Sequence, residues 1–272
     1  MRWINRTPSR ATTLILVALP FALVLLAYAL GSAARLAANP NDKLLPAFDL
    51  IANAIRTLAL VPDVRTGELT FWADTWASLG RLLAALGIGT ATALVFGMAI
   101  GMFPYARALL APFVAALSMV PPLALLPILF IVMGLGESSK IALIAIGITP
   151  VMVRDLALRI LELPREQITK AQTLGASSWQ LGLRVILPQA LPRLITCLRL
   201  QLGPAWLFLI AAEAISSDAG LGYRIFLVRR YLSMEIIFPY VLWITLLAVL
   251  MNVALDLLRR TAFPWSVVEP GK

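Results

Sequence analysis

The side chains able to do chemistry in this sequence are few, and their pattern argues against bond-making. No histidine is present, which excludes Ser-His and Cys-His catalysis and every His-ligated metal site. Cys197 is the one cysteine, so neither an internal disulfide nor a thiolate cluster can form. No stretch reads G-x-x-x-x-G-K-[ST], the loop that cradles phosphates with backbone N–H groups. ATP hydrolysis by that route is therefore closed to this chain. Three kinds of feature remain. Arg81, Glu213 and Asp256 are ionisable residues set in or beside apolar runs, Pro121, Pro122 and Pro127 interrupt another apolar run, and a polar, arginine-rich stretch extends from Arg159 to about Gln189.

The elements that carry them belong in a membrane. Hydrophobic residues make up 60% of the 272 and charged residues 14%, against about 45–50% and about 25% in soluble proteins. The net charge of +9 comes from Lys and Arg scattered between apolar runs. That is the distribution by which cations set topology, and no nucleic-acid partner is expected.

A crossing helix needs about 20 mostly apolar residues, and six stretches qualify. The first is Ala11–Leu30, behind Arg2, Arg6 and Arg10. It exceeds the usual apolar length of a signal peptide, about 7–15 residues. An uncleaved span is therefore preferred, although Ala33-Ala34 and Ala37-Ala38 are weak cleavage sites. The others are about Trp76–Phe103, Leu109–Gly134 (broken by its prolines), Lys140–Leu158, Leu191–Ile215 and Ile236–Leu258. Between the first two, Asn39-Pro40-Asn41-Asp42 is a turn. Leu44–Leu60 then has the apolar spacing of an amphipathic helix, lying on the membrane surface or packed on the bundle. Placing both termini in the cytoplasm puts the larger share of Lys and Arg inside.

Several residues within the spans stand out. Prolines free carbonyls that only protein or water can satisfy at membrane depth. Ser118, Met119, Pro121 and Pro122 are thus candidates for a solute pathway or gate, the alternative being a kinked packing helix. Glu213 either contacts a solute or pairs with Arg81 as gate or scaffold. Asp256 is expected to pair with Arg259 and Arg260. Gly97-x-x-x-Gly101 allows close helix approach, more readily inside one subunit than between two.

The stretch from Arg165 to Pro188 is the most specific. Arg165–Leu174 suits a short helix, Gly175 can end it in the left-handed conformation, and Ser177 with Gln180 has the spacing of a capping box for a second helix. Pro188 marks a boundary before the fifth span. Thr169-Lys170-Ala171, then Gly175, then Val185-x-Leu187-Pro188, resembles the E-A-A, Gly, I-x-L-P signature of permease subunits of bacterial ATP-binding-cassette importers. Thr169, Lys170 and Val185 depart from that signature, while the Gly-to-Pro spacing is kept. Further matches run in order along the chain: Val120-Pro-Pro-Leu-Ala-Leu-Leu-Pro127, Gly134-Leu-Gly-Glu-Ser-Ser-Lys140, Gly175-Ala-Ser177, Ala211-Ala-Glu213, Gly220-Leu-Gly222 and Pro264-Trp265. The similarity covers about Trp76–Trp265 and is strongest to the taurine, alkanesulfonate and nitrate branch.

The resemblance implies an all-α integral membrane protein: a six-helix type I importer permease with a cytoplasmic coupling helix between spans four and five. Residues 1–75 would be a first span with an amphipathic periplasmic segment, 76–265 the permease core with its coupling loop at 159–189, and 266–272 a cytoplasmic tail. Thr169, Lys170, Ala171, Gly175, Ala176, Leu187 and Pro188 would couple to a separate ATPase, expected in two copies, that holds ATP and Mg; this chain would bind no cofactor or metal and would not be an enzyme. A homodimer in the bacterial inner membrane is implied. So is a periplasmic or lipid-anchored binding protein, docking where the outward loop Ser216–Ser233 carries Asp218, Arg224, Arg229 and Arg230. The solute would be small and polar: a sulfonate such as taurine, nitrate, a pyrimidine precursor, or a urea- or guanidine-like compound. Two other classes compete. A self-sufficient secondary transporter or channel would show internal hydropathy repeats and an intramembrane ion site, and a membrane enzyme would need the catalytic groups that are missing.

Overall fold

The computed structural model describes residues 8–40, 42–63 and 67–266. Arg2, Arg6 and nearly all of the expected tail at 266–272 lie outside the described residues. The chain divides into two compact units, one formed by Met1–Leu69 with Val228–Val241, the other by Thr70–Leu227 with Leu242–Lys272.

The first unit begins with α1 (Arg10–Ala38), capped by Ser9, whose Oγ accepts the Thr12 N–H. Its apolar side chains, Phe21 and Val24 among them, are exposed along its length, as lipid contact requires. The chain then folds back. Tyr28 Oη donates to Pro46 O (2.6 Å), Ser32 Oγ donates to Leu45 O (3.0 Å), and Arg35 pairs with Asp42. The Leu44 N–H also reaches Asp42, which holds that carboxyl below the usual carboxylate range together with the Arg35 guanidinium. Helix α2 (Phe48–Leu60) follows, beginning at Phe48 rather than Leu44. Pro46 blocks an earlier start, because the residue before a proline is steered from the helical region.

The second unit is a bundle centred on α3 (Thr70–Met102), α6 (Glu137–Leu161) and α9 (Leu187–Ser216). Leu82, Ala93, Ile144, Ile148, Met152, Leu156 and Leu209 are fully buried between them. Gly97 and Gly101 lie against α6 of the same subunit: a Cβ at 97 would meet Leu156 at 2.9 Å, and one at 101 would meet Ile160 at 2.7 Å. The small-residue pair thus brings two helices of one chain together, the expected use.

Helix α4 (Pro104–Leu117) and α5 (Leu126–Met133) are joined through a 3₁₀ turn at Pro122–Leu125 and bent by 84°. The single third span read from the sequence is therefore two short helices at a corner. Pro121 and Pro122 supply no N–H in succession, so the helix cannot run through them. Among the described residues, five continuous helices are long and apolar enough to cross a membrane, and the bent pair makes a sixth.

Two boundaries differ from expectation for physical reasons. Pro188 ends nothing. The chain is helical from Ser178 through Ser216, passing through α8 (Ser178–Leu181) and a π-helical turn at Gly182–Ile186 before α9. The Leu187 N–H reaches back to Gly182 O. A wider turn just before a proline relieves the crowding of its ring on the preceding carbonyls. Nor is Ser216–Ser233 an open loop. It contains α10 (Leu221–Arg229), whose Leu221 and Gly222 are buried. The last long helix, α11, spans Met234–Ala262.

Candidate functional site

At the bundle end where α6 stops and α9 begins, the connector forms a doubly capped corner. Helix α7 (Arg165–Thr173) starts after Pro164. It closes with the Gly175 N–H donating to Gln172 O (2.9 Å) and the Ala176 N–H to Ala171 O (3.0 Å). These are the two bonds of a Schellman motif, and Gly175 sits at φ +82°, where a side chain would be strained. The capping box forms immediately afterwards: the Gln180 N–H donates to Ser177 Oγ (3.3 Å) and the Ser177 N–H to Gln180 Oε1 (2.9 Å). Gln189 Nε2 donates to Gln167 Oε1 (3.1 Å), tying α7 to the start of α9. Backbone groups at the corner are thus satisfied locally, and the corner is stiff without outside help.

Its outer surface is open. Thr169, Lys170 and Gly175 are exposed, Ala171 and Ala176 half-buried. A shallow groove is lined by Arg165, Glu166, Thr169, Lys170 and Thr173. Beside it project Leu174, 87% exposed, and Trp179, 74% exposed. Leu187 and Pro188 are half-buried farther along the continuous helix and belong to its framework rather than to this surface. Sequence reasoning missed Leu174 and Trp179. Large apolar residues flanking a glycine corner in an otherwise polar stretch were the available signal.

The opposite end of the bundle, where α3 and α6 begin and α9 ends, encloses a buried polar cluster. Glu213 is fully buried. Its Oε1 accepts from Ser78 Oγ (2.7 Å) and Arg81 Nη1 (2.7 Å), and its Oε2 from the Gly222 N–H (2.8 Å). Arg81 also donates to Ala219 O (2.8 Å) and pairs with Glu137, which takes Lys140 Nζ at 3.0 Å. Asp74, 1% exposed, accepts the Gly220 N–H (2.9 Å) and Arg224 Nε (2.8 Å), and the Leu221 N–H donates to Ser78 Oγ (2.8 Å). Three carboxylates thus face three cations, and three successive backbone N–H groups end on side chains of α3 and α9. A Cβ at Gly220 would stand 2.6 Å from the Glu213 carboxylate, so this turn is built around the acid. Asp74, Ser78, Glu137 and Lys140 were missed as partners. Asp74, Ser78 and Arg81 stand four and three residues apart, one face of a helix, and that spacing could have revealed them.

Of the expected pathway residues, Ser118 and Pro122 line a cavity of about 760 Å³, together with Thr92, Thr149, Gln201 and Phe208. Met119 and Pro121 are exposed beside it and do not line it, and Glu213 lies in the cluster instead. Arg154 Nη1 donates to Ser118 Oγ (2.7 Å) at the rim. Of the expected docking residues, Arg224 is bound to Asp74 and so is half-withdrawn from the surface, whereas Asp218, Arg229 and Arg230 are exposed. Asp256 pairs with Arg259 (3.1 Å) and Arg260 (2.7 Å) as anticipated, and also with Arg199, which links α9 to α11.

Fold and site together define a polytopic helical membrane protein with a capped helix–glycine–helix connector exposed at one end. The family model for the binding-protein-dependent transport system inner membrane component matches residues 89–265. The taurine transport system permease TauC of Escherichia coli K12 is 37% identical over 199 residues, 73% of this chain and 72% of the relative. The aliphatic sulfonates transport permease SsuC of the same organism, a putative assignment in its own name, is 31% identical over 227 residues, 83% of each chain. Among solved structures, the permease fold of the inward-facing MetNI methionine ABC transporter superposes with a TM-score of 0.63 at 21% identity, covering 71% of this chain and 98% of that one. The chain belongs to the binding-protein-dependent transport system inner membrane component family, and it is a permease component of an ABC importer.

Proposed function

We propose that this permease carries a small sulfonate-type anion or zwitterion across the bacterial inner membrane, driven by a separate ATPase that seats on α7 and the Gly175 corner. ATP and Mg belong to that ATPase, and both termini lie on its cytoplasmic side. Two copies of the chain form the route, and a binding protein delivers the solute at the Glu213 end, meeting Asp218. The observation that carries the reading is the connector itself. A helix closed by a Schellman motif and followed at once by a capping box passes on a push as a rigid piece, and Lys170, Leu174 and Trp179 offer a polar surface with apolar anchors.

The nature of the solute rests on the cavity beside Ser118. No carboxylate is among its lining residues, its polar groups come from Thr92, Ser118, Thr149 and Gln201, and Arg154 stands at the rim. Such walls suit an anion better than a cation, in keeping with relatives named for taurine and aliphatic sulfonates. Glu213, answered on both oxygens, serves as scaffold. Uptake of labelled taurine, an alkanesulfonate, nitrate and a guanidinium compound, in a strain lacking this gene and complemented with it, tests the proposal. A sulfonate should enter, and the double variant Leu174→Asp, Trp179→Asp should stop it. Uptake of the guanidinium compound alone would overturn the solute assignment, and uptake by the double variant would overturn the docking face.

A further inference from the structure

The bundle end that carries α7 holds a second recess, separate from the groove on α7 and from the cavity beside Ser118. It measures about 450 Å³, within the range of small-ligand sites. Arg159 at the end of α6, Gln167 on α7, Gln189 and Arg193 on the first turns of α9, Arg259 near the end of α11, and Trp265 just beyond it form its walls. Three chain segments distant in sequence, 159–167, 189–196 and 259–266, therefore converge on one basic hollow.

Among the described residues its charge is not balanced. Arg159 is shared between Glu162 (3.1 Å) and Asp155 (3.7 Å). Arg259 holds Asp256 through Nη2 (3.1 Å), but Asp256 also takes Arg199 and Arg260, and the buried Nε of Arg259 has no partner. Arg193 makes no ion pair among the described residues and is exposed. Three arginines and one carboxylate, Glu162, line the recess. Guanidinium forks match phosphate oxygens in pairs, and the two glutamine amides add polar wall. The recess opens at the level where the spans end, and Trp265, an amphipathic ring of the kind that settles at membrane interfaces, forms its edge.

We propose that this recess binds a phosphate-bearing anion, with Arg193 as its principal unsatisfied contact and Arg159 and Arg259 completing the basic wall. Two sources carry this chemistry: the headgroup of an anionic phospholipid, for which basic hollows between spans are suited, and a soluble phosphate. An occupant would bridge the end of α6, the start of α9 and the end of α11, the first two of which flank the connector. The site stands independently of the importer mechanism, since binding is read without transport.

The test uses the full chain in nanodiscs, wild type against Arg193→Gln, with Arg165→Gln on α7 outside the recess as control. In discs of phosphatidylcholine mixed with phosphatidylglycerol, native mass spectrometry counts retained phosphatidylglycerol. In discs of phosphatidylcholine alone, equilibrium dialysis measures radiolabelled inorganic phosphate. Loss of one basic contact at an anionic surface should weaken binding about five-fold in Arg193→Gln and leave Arg165→Gln unchanged. A difference in the first arm identifies a lipid headgroup, and a difference in the second a soluble phosphate. Equal behaviour of wild type and Arg193→Gln in both arms overturns the proposal.

Discussion

The two ends of the second unit use polar residues in opposite ways. At the Glu213 end, Asp74, Arg81, Lys140 and Glu213 are all at most 6% exposed, and each carboxylate is answered by cations or backbone N–H groups. At the Gly175 end, Lys170, Leu174, Gly175 and Trp179 are exposed, and the internal hydrogen bonds serve the backbone caps and the Gln167–Gln189 tie. The first end directs its polar chemistry inward and fastens α3, α6, α9 and the turn before α10 to one another. The second keeps its shape through caps and leaves its side chains for another surface. A buried charge is informative about function only after its partners are counted, whereas an exposed apolar residue on a rigid corner points outward at once.

This contrast can be broken by substitution. Arg81→Ala should have the largest effect, destabilising the fold by about 3–5 kcal/mol, because it leaves Glu213 buried without its cation. Thermal unfolding in detergent would record it, and an unchanged Tm would mean the cluster is not a fastening. Trp179→Ala should weaken association with the ATPase by about 2 kcal/mol, as loss of an aromatic anchor does, with Tm unaffected. A fall in Tm of Arg81→Ala size would instead place Trp179 in the fold. Gly101→Ala, which drives a Cβ into Ile160, should cost about 1–3 kcal/mol by overpacking, and expression and unfolding of the purified permease would show it. Ser177→Ala should be the mildest, near ~1 kcal/mol for a lost cap, seen as faster amide exchange at Ser178–Leu181 while α7 keeps its protection.

Much of this was legible in the residues, and unevenly so. The long spans were readable because the bilayer demands about 20 apolar residues whatever the neighbours are. The Gly175 corner was readable because its caps are local, each needing residues only a few positions apart. The Arg81–Glu213 pairing could be raised from two isolated charges, and Asp74 and Ser78 share the face of α3 that carries Arg81, but the full cluster could not, since Glu137 and the N–H groups of Gly220–Gly222 come from distant segments. Helix α10 was hidden for the same reason. Gly220, Gly222 and Arg224 look like loop residues until the carboxylates of α3 and α9 are placed against them. Pro188 misled because a π turn, set by geometry before it rather than by its own preference, carries the helix past it.

The rigid corner is the central claim, and one substitution addresses it directly. Gly175→Pro cannot adopt φ +82° and should open the Schellman turn while leaving the spans intact. Labelled sulfonate uptake would be measured in a strain lacking this gene and complemented with wild type or Gly175→Pro, with permease abundance in the membrane quantified in parallel. Equal abundance with uptake abolished is the predicted result. Equal abundance with uptake retained would contradict coupling through this corner.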